Sequence, residues 1–170
     1  MGRKSGVAGD IIAGALAGAA ATWVMGLVTD YLYEREDPAV RKQEDDARGG
    51  VSAYEKAAEK LANARRQPIW PEDRARQGSA IHWGLGIGAG ALYGSLRNEV
   101  PMPGMLRGVA YGLAFWLVVD ELLNPALRLT PGPRSFPWQA HGRGLAGHLV
   151  FGAVAEATLT MIDTVRDGRD

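Results

Sequence analysis

Residues 104–158 decide the fold and read GMLRGVAYGLAFWLVVDELLNPALRLTPGPRSFPWQAHGRGLAGHLVFGAVAEAT. A proline-rich connection joins two apolar runs there, and the first run closes with Asp120 and Glu121. His148 opens the second run, and Glu156 lies deep inside it. Ionisable groups within apolar helices are costly unless other helices supply partners for them. This stretch therefore predicts membrane helices that pack against one another.

The composition narrows the class of protein. A length of 170 residues fits a single domain, and a formal net charge of zero gives no argument for nucleic acid as a partner. Cysteine is absent, which excludes disulfides, thiolate nucleophiles and cysteine metal sites. The chain has 23 glycines, and glycine within apolar runs indicates close helix packing in a membrane.

Four apolar segments are long enough to cross a bilayer of about 30 Å. They cover residues 11–32, 79–96, 104–123 and 144–162. The first segment follows basic residues as a signal peptide would, but it is too long for an h-region, and Asp30 and Tyr31 stand where a cleavage site would be. The sequence therefore predicts an all-α, polytopic membrane protein with four transmembrane helices.

Small residues spaced four apart predict which helix faces pack closely. The predicted packing positions are Gly14, Gly18, Gly84, Gly88, Gly90, Gly94, Gly104, Gly108 and Gly112. The glycines of the second segment resemble a dinucleotide-binding motif in spacing alone. That motif needs a preceding strand and a β-α-β unit, and the sequence shows neither.

Residues 34–77 form a polar connection in which basic and acidic residues balance. Within it, residues 51–66 predict a helix that Ser52 caps, with Glu55 three residues on completing a capping box. Its apolar stripe is thin. Two interpretations stay open, a solvated linker helix near the membrane surface and a helix that docks on a partner.

The order of four spans places the two longer connections, residues 34–77 and 124–143, on one side of the membrane. Five polar residues then lie within about two turns of that interface, at 1.5 Å per residue. They are Asp30, His82, Asp120, Glu121 and His148. We expect His148 to hydrogen-bond a carboxylate of the third span, with Glu121 the first candidate and Asp120 the second. Glu156 lies about two turns deeper, out of reach of His148, and Arg107 is expected to extend to the opposite interface.

The segments TWVMGLVTDYLYERE, IHWGLGIGAGALYG, WLVVDELLNP and FPWQAHGRGLAGHLVFG resemble the YagU-like family of uncharacterised bacterial inner-membrane proteins. The resemblance covers nearly the whole chain. It implies a multi-pass protein of the bacterial inner membrane with a link to acid tolerance. It brings no catalytic residues.

The residue types of the polar layer are compatible with four functions. Interhelical pairing alone is one, and a proton or ion pathway is the second. The third is a metal or haem site built from His82, His148 and Glu121, for which no HxxxH or ExxH spacing is present. Hydrolase chemistry is the fourth, and no GxSxG motif supports it.

We expect a protein without enzymatic activity, cofactor or metal, acting as a structural or accessory subunit. It would contact membrane lipids and either self-associate or join a larger membrane complex. The alternative is a small pH-responsive proton or ion channel or transporter. Basic residues are more numerous in the two longer connections than at the other ends of the spans. The positive-inside rule therefore predicts cytoplasmic connections and periplasmic termini.

Overall fold

Helices account for most of residues 6–168, the part of the chain that the computed structural model describes, and no strand occurs among them. The α-helices are α1 (Val7–Glu34), α2 (Pro38–Arg48), α3 (Ala53–Ala64), α4 (Pro71–Leu96), α5 (Gly104–Trp116), α6 (Asn124–Ala126) and α7 (Trp138–Asp167). A π-helical turn, Leu117–Leu123, joins α5 to α6, and short 3-10 turns occupy Arg97–Glu99 and Pro133–Ser135. The all-α prediction is confirmed.

The long helices form a bundle in which each packs antiparallel to its neighbour. α1 lies between α4 and α7, and α7 lies between α1 and α5. Gly14 contacts the end of α4 near Gly94, whereas Gly18 contacts Gly86 further back along it. The antiparallel order brings the ends of α1 and α5 to one end of the bundle with the starts of α4 and α7.

A glycine seam closes the α1–α4 interface. A Cβ added to Gly90 would lie 2.3 Å from the Cα of Gly18, and one added to Gly14 would lie 2.4 Å from the carbonyl oxygen of Gly90. Gly86 meets Thr22, whose hydroxyl donates to the carbonyl of Gly18 at 2.7 Å. Only glycine permits this approach, because any side chain would meet backbone atoms.

A second seam joins α5 to α7. A Cβ on Gly108 would lie 2.5 Å from the carbonyl oxygen of Gly152, and one on Gly112 would lie 2.1 Å from that of His148. Gly104 faces the Glu156 carboxylate at 2.7 Å. These seams explain why so many of the glycines fall within long helices.

Two of the predicted packing positions meet no other helix within residues 6–168. Gly84 and Gly88 lie on the exposed side of α4, where an added Cβ would meet no atom within 4 Å. Gly86, two residues from each, occupies the seam instead. Successive helix residues turn by about 100°, so positions two apart face nearly opposite directions.

The bundle core consists mainly of small residues, among them Ala13, Ala17, Ala21 and Ala155, and its large members are Tyr93, Phe151 and Leu159. Large apolar residues of all the long helices face outward instead, for example Leu16 at 61% and Trp23 at 60% exposure. Two helices, α1 and α7, are long and apolar enough to cross a membrane.

The polar connection folds onto the bundle, a packing that neither interpretation of residues 51–66 included. α3 packs on α4 and buries Ala58 and Ala62. The predicted capping box is confirmed, since Ser52 accepts from the Glu55 amide at 3.2 Å and Glu55 accepts from the Ser52 amide at 2.9 Å. α2 is also held in place, because Glu44 on its inner side is fully buried.

α1 begins about one turn before its predicted span, and α4 and α7 begin earlier still relative to theirs. α4 starts at Pro71 and not near residue 79, and α7 starts at Trp138 and not near residue 144. Pro71 suits a first helical position, where a missing N–H costs nothing, and Glu72 and Asp73 complement the helix dipole there. Hydropathy marks only the apolar part of such a helix, and the lengths of α4 and α7 were therefore underestimated.

Candidate functional site

The candidate site lies where the two longer connections meet the bundle. Its centre is the π-helical turn Leu117–Leu123, which carries Asp120 and Glu121. Pro125 follows one turn later. Since proline has no N–H to donate to the carbonyl of Glu121 and its ring crowds that carbonyl, the helix widens there. Single π-helical turns within α-helices occur frequently at functional sites.

Glu121 pairs with His141 in the first turn of α7. Its Oε1 lies 2.6 Å from Nδ1 of the ring, and Nε2 lies 3.0 Å from the carbonyl oxygen of Pro133. A carbonyl can only accept, so Nε2 carries a proton, and an ionised Glu121 requires one on Nδ1. The contacts therefore fit a doubly protonated ring. The first-choice pairing of Glu121 with His148 is wrong.

Asp120, the second candidate, is the carboxylate nearest to His148. Its Oδ2 lies 3.7 Å from Nδ1 of His148, which is an ion-pair distance and not a hydrogen bond. That nitrogen lies 2.8 Å from the carbonyl oxygen of Gly144 and donates to it. Asn124 provides a long contact to Oδ1 of Asp120, at 3.4 Å. Asp120 thus has weaker partners than Glu121.

His82 reaches the same region from α4. Its ring lies 4.7 Å from the ring of Tyr54 on α3, and both line a small space beside His148. Asp30 is exposed at the end of α1 and lines a surface depression with His82 and Tyr54, away from Asp120. Four of the five predicted residues therefore gather around the π-helical turn, and Asp30 remains at the outer edge.

Charged residues of α2 and α7 tie the connection to the bundle. Arg143 contacts Glu44 at 2.5 and 2.6 Å and Glu36 at 2.5 Å. Glu44 also pairs with Arg48 at 2.5 Å. Arg143 stacks over the ring of Tyr33 with 4.8 Å to the centroid. The sequence analysis did not predict this cluster, since it assigned no structural role to the charged residues of the connection outside residues 51–66. The sequence signal for this cluster is Glu44, the acidic residue on the inward side of the amphipathic helix α2.

A cavity of about 170 Å³ opens beside the π-helical turn. Asp120, Glu121 and His141 contribute to its polar side, together with Arg48 from the end of α2. Three aromatic residues also line it, namely Tyr54, Trp116 and Phe136, and smaller residues and prolines complete the wall. α2, α3, the π-helical turn and the start of α7 must all be in place for this cavity to exist.

A second polar cluster surrounds Glu156 near the other end of the bundle. Arg107 donates to its Oε1 at 2.7 Å, and the hydroxyl of Tyr93 donates to its Oε2 at 2.5 Å. Arg97 lies 3.5 Å from the same carboxylate and also pairs with Asp163. Arg107 is thus turned inward toward Glu156, so its expected extension to the interface is wrong. Glu156 is 3% exposed and lies out of reach of His148, as expected.

The residues weighed as a metal set do not assemble. Glu121 is held by His141, away from His82 and His148. Within residues 6–168 no group of three or more His, Asp or Glu side chains is positioned to hold a metal ion.

Comparison with known proteins gives a family and no function. A family model described as "Protein of unknown function (DUF1440)" matches residues 67–157. This range begins just before α4 and includes the π-helical turn, His148 and Glu156. No curated protein and no solved structure matches the chain.

Proposed function

Because the chain belongs to DUF1440, a family of proteins of unknown function, we propose a role from its own geometry: a four-pass membrane protein that acts as a structural or accessory subunit without enzymatic activity. The sequence resemblance to YagU-like proteins supports a place in the bacterial inner membrane. The lipid tails and a second membrane protein, either another copy or a larger complex, are its partners.

The distribution of large and small residues carries the proposal. Water-soluble proteins bury large apolar side chains, and a monomer rarely exposes a continuous apolar surface of this extent. Here alanine and glycine fill the interior, while Leu16, Trp23 and Leu27 of α1 are all more than half exposed. Helix association in lipid relies on close packing of small residues, which is the arrangement observed.

The same inversion extends to α4 and α5. Leu92 is 54% exposed on α4, and Met105 and Leu106 are more than half exposed on α5. α4 lies against α1 along its seam, and α5 lies against α7 along the other. α1 and α7 are the apolar candidates for membrane spans. Because α4 and α5 pack alongside them over several turns, we expect α4 and α5 to lie at the same depth in the membrane.

The exposed side of α4 supports lateral association. Gly84 and Gly88 are open there, and Trp83, Leu85 and Ile87 flank them at 37–38% exposure. A second helix can approach a backbone closely at such positions. The buried charges, in contrast, are already used inside the chain, since Glu156 has two arginines and a tyrosine as partners.

A pH-responsive proton or ion pathway is the second candidate. The cavity beside Asp120 and Glu121 favours it, because ionisable groups at membrane depth commonly mark such pathways. Proton flux into liposomes that depends on Asp120 would favour this candidate over the accessory role.

Native mass spectrometry of protein extracted in mild detergent tests the accessory role. We expect the wild type to carry a second copy or a tightly bound membrane protein. A double variant, Gly84→Leu with Gly88→Leu, should lose that partner while keeping its thermal stability. Gly26→Leu is the matched control, since an added Cβ at Gly26 on α1 also meets no atom within 4 Å. A wild type that is always monomeric and alone, or a double variant that keeps its partner, contradicts the proposal.

A further inference from the structure

We propose that the cavity of about 170 Å³ beside the π-helical turn binds a small organic cation through the Asp120 carboxylate. The ligand class is an alkylammonium, with the charged nitrogen at Asp120 and the alkyl part among the aromatic rings. This binding site is independent of the accessory role proposed above.

Charge pairing inside the cavity singles out Asp120. Glu121 already holds His141 at 2.6 Å, and Arg48 already holds Glu44 at 2.5 Å. Among residues 6–168, no lysine or arginine forms an ion pair with Asp120, whose nearest basic atom is Nδ1 of His148 at 3.7 Å. Since that nitrogen donates its hydrogen to the carbonyl oxygen of Gly144, it forms no hydrogen bond with the carboxylate.

The shape and chemistry of the wall select an organic cation over an inorganic one. Tyr54, Trp116 and Phe136 present aromatic rings to the cavity. Aromatic faces attract alkylammonium groups through the ring quadrupole and also accept the alkyl chain. Ligand sites generally combine an apolar wall with a few placed polar groups. A bare metal ion would need more oxygen ligands than Asp120 can assemble there.

Access is provided by the position of the cavity. It opens where the two longer connections meet the bundle, at the aqueous end of the third predicted span. Arg48, at the end of α2, also lines it, with its guanidinium carbon 5.8 Å from the centroid of the Phe136 ring. A ligand therefore reaches Asp120 from water and not through lipid.

Calorimetric titration of the full chain in lipid nanodiscs tests the site. The probes are n-butylammonium chloride, the neutral n-butanol and sodium butyrate, which share chain length and differ in charge. We expect n-butylammonium to bind with a dissociation constant of about 1 mM or lower. Neither n-butanol nor butyrate should reach that affinity. Equal binding of n-butanol, or displacement of the amine by an equal concentration of potassium chloride, overturns the proposal.

Variants at Asp120 and Glu121 show which of the two carboxylates binds the amine. Asp120→Asn keeps the side-chain shape and should weaken n-butylammonium binding by about tenfold or more, because a charge-assisted contact is lost. Glu121→Gln is the matched control and should change binding less than about threefold, since it removes a charge that His141 already balances. Unchanged binding by Asp120→Asn refutes the assignment. If Asp120→Asn does not fold, the three probes on the wild type still decide it.

Discussion

Alanine at Gly90 should destabilise the bundle, whereas alanine at Gly88 should leave its stability unchanged or slightly raise it. A Cβ on Gly90 would lie 2.3 Å from the Cα of Gly18 and 2.4 Å from the carbonyl oxygen of Gly14, both backbone atoms. Ordinary contact begins at 3.4 Å, so the helices must separate by about 1 Å (3.4 − 2.3 = 1.1 Å). On Gly88, two residues away, the same Cβ meets no atom within 4 Å.

The magnitude follows from comparing the two variants. Both replace a mid-helix glycine, so both gain the same helix propensity, about 0.5–1 kcal/mol. That gain cancels in their difference. What remains is the cost of overpacking at Gly90, about 1–3 kcal/mol. Gly88→Ala should therefore be as stable as the wild type or slightly more stable, and Gly90→Ala clearly less stable.

Reversible unfolding in mixed detergent micelles, followed by circular dichroism, measures this difference. Both variants should keep the helical content of the wild type under native conditions. If Gly90→Ala and Gly88→Ala unfold at the same denaturant concentration, the α1–α4 seam does not contribute to stability as described, and the reasoning fails.

Three further changes probe the polar clusters and the connection. Arg143→Met should destabilise the fold by about 1–3 kcal/mol, because the buried Glu44 loses one of its two arginines and keeps the other; hydrogen exchange should rise in α2, and unchanged exchange would show that Arg143 does not hold α2 on the bundle. Glu156→Gln should cost about 3–5 kcal/mol, because Arg107 loses its carboxylate partner, and thermal unfolding in detergent measures it. Hydrogen bonds from the backbone and the side chain of Ser52 hold the pKa of Glu55 below its ordinary value, although burial acts in the opposite direction. A lowered folded pKa means that this stability is present above the ordinary Glu value and lost as the pH falls through the lowered one. Local opening of α3, measured by amide hydrogen exchange, should therefore increase on acidification in the wild type. Glu55→Gln should remove this pH dependence.

The all-helical class and the polar end of the bundle could be predicted because both depend on patterns along the sequence. Apolar runs set the helices, and the order of the runs sets which ends meet. A rise of 1.5 Å per residue along antiparallel helices predicts that His148 and the third-span carboxylates lie at the same height along the bundle axis. That rise does not give the direction in which each side chain points around its helix. The prediction of height therefore agrees with the structure, whereas the prediction of which carboxylate each histidine contacts does not.

The π-helical turn explains that difference. One extra residue in a turn rotates everything after it by about 100° relative to an α-helix. Asp120 and Glu121 lie within the turn, so Glu121 meets His141 and Asp120 lies nearest to His148. Pro125 was visible in the sequence, but a proline can kink, end or widen a helix, and the packing partners decide among these.

The glycines of α4 were ambiguous for a similar reason. They offer two registers, one through Gly84 and Gly88 and another through Gly86, Gly90 and Gly94. Both have the small-xxx-small spacing that suits close helix packing. Only the position of Thr22 and the glycines of α1 selects the second register, and that position is a property of the folded bundle.

The central claim is that four helices, and not only α1 and α7, cross the membrane. The chain has no cysteine, so single cysteines report topology without background. Asn98→Cys lies in the turn between α4 and α5, and Arg134→Cys lies in the connection before α7. Labelling with a membrane-impermeant maleimide before and after permeabilisation should place them on opposite sides, with residue 98 accessible from the periplasm. If only α1 and α7 crossed, both cysteines would be labelled from the same side, and that result would contradict the account.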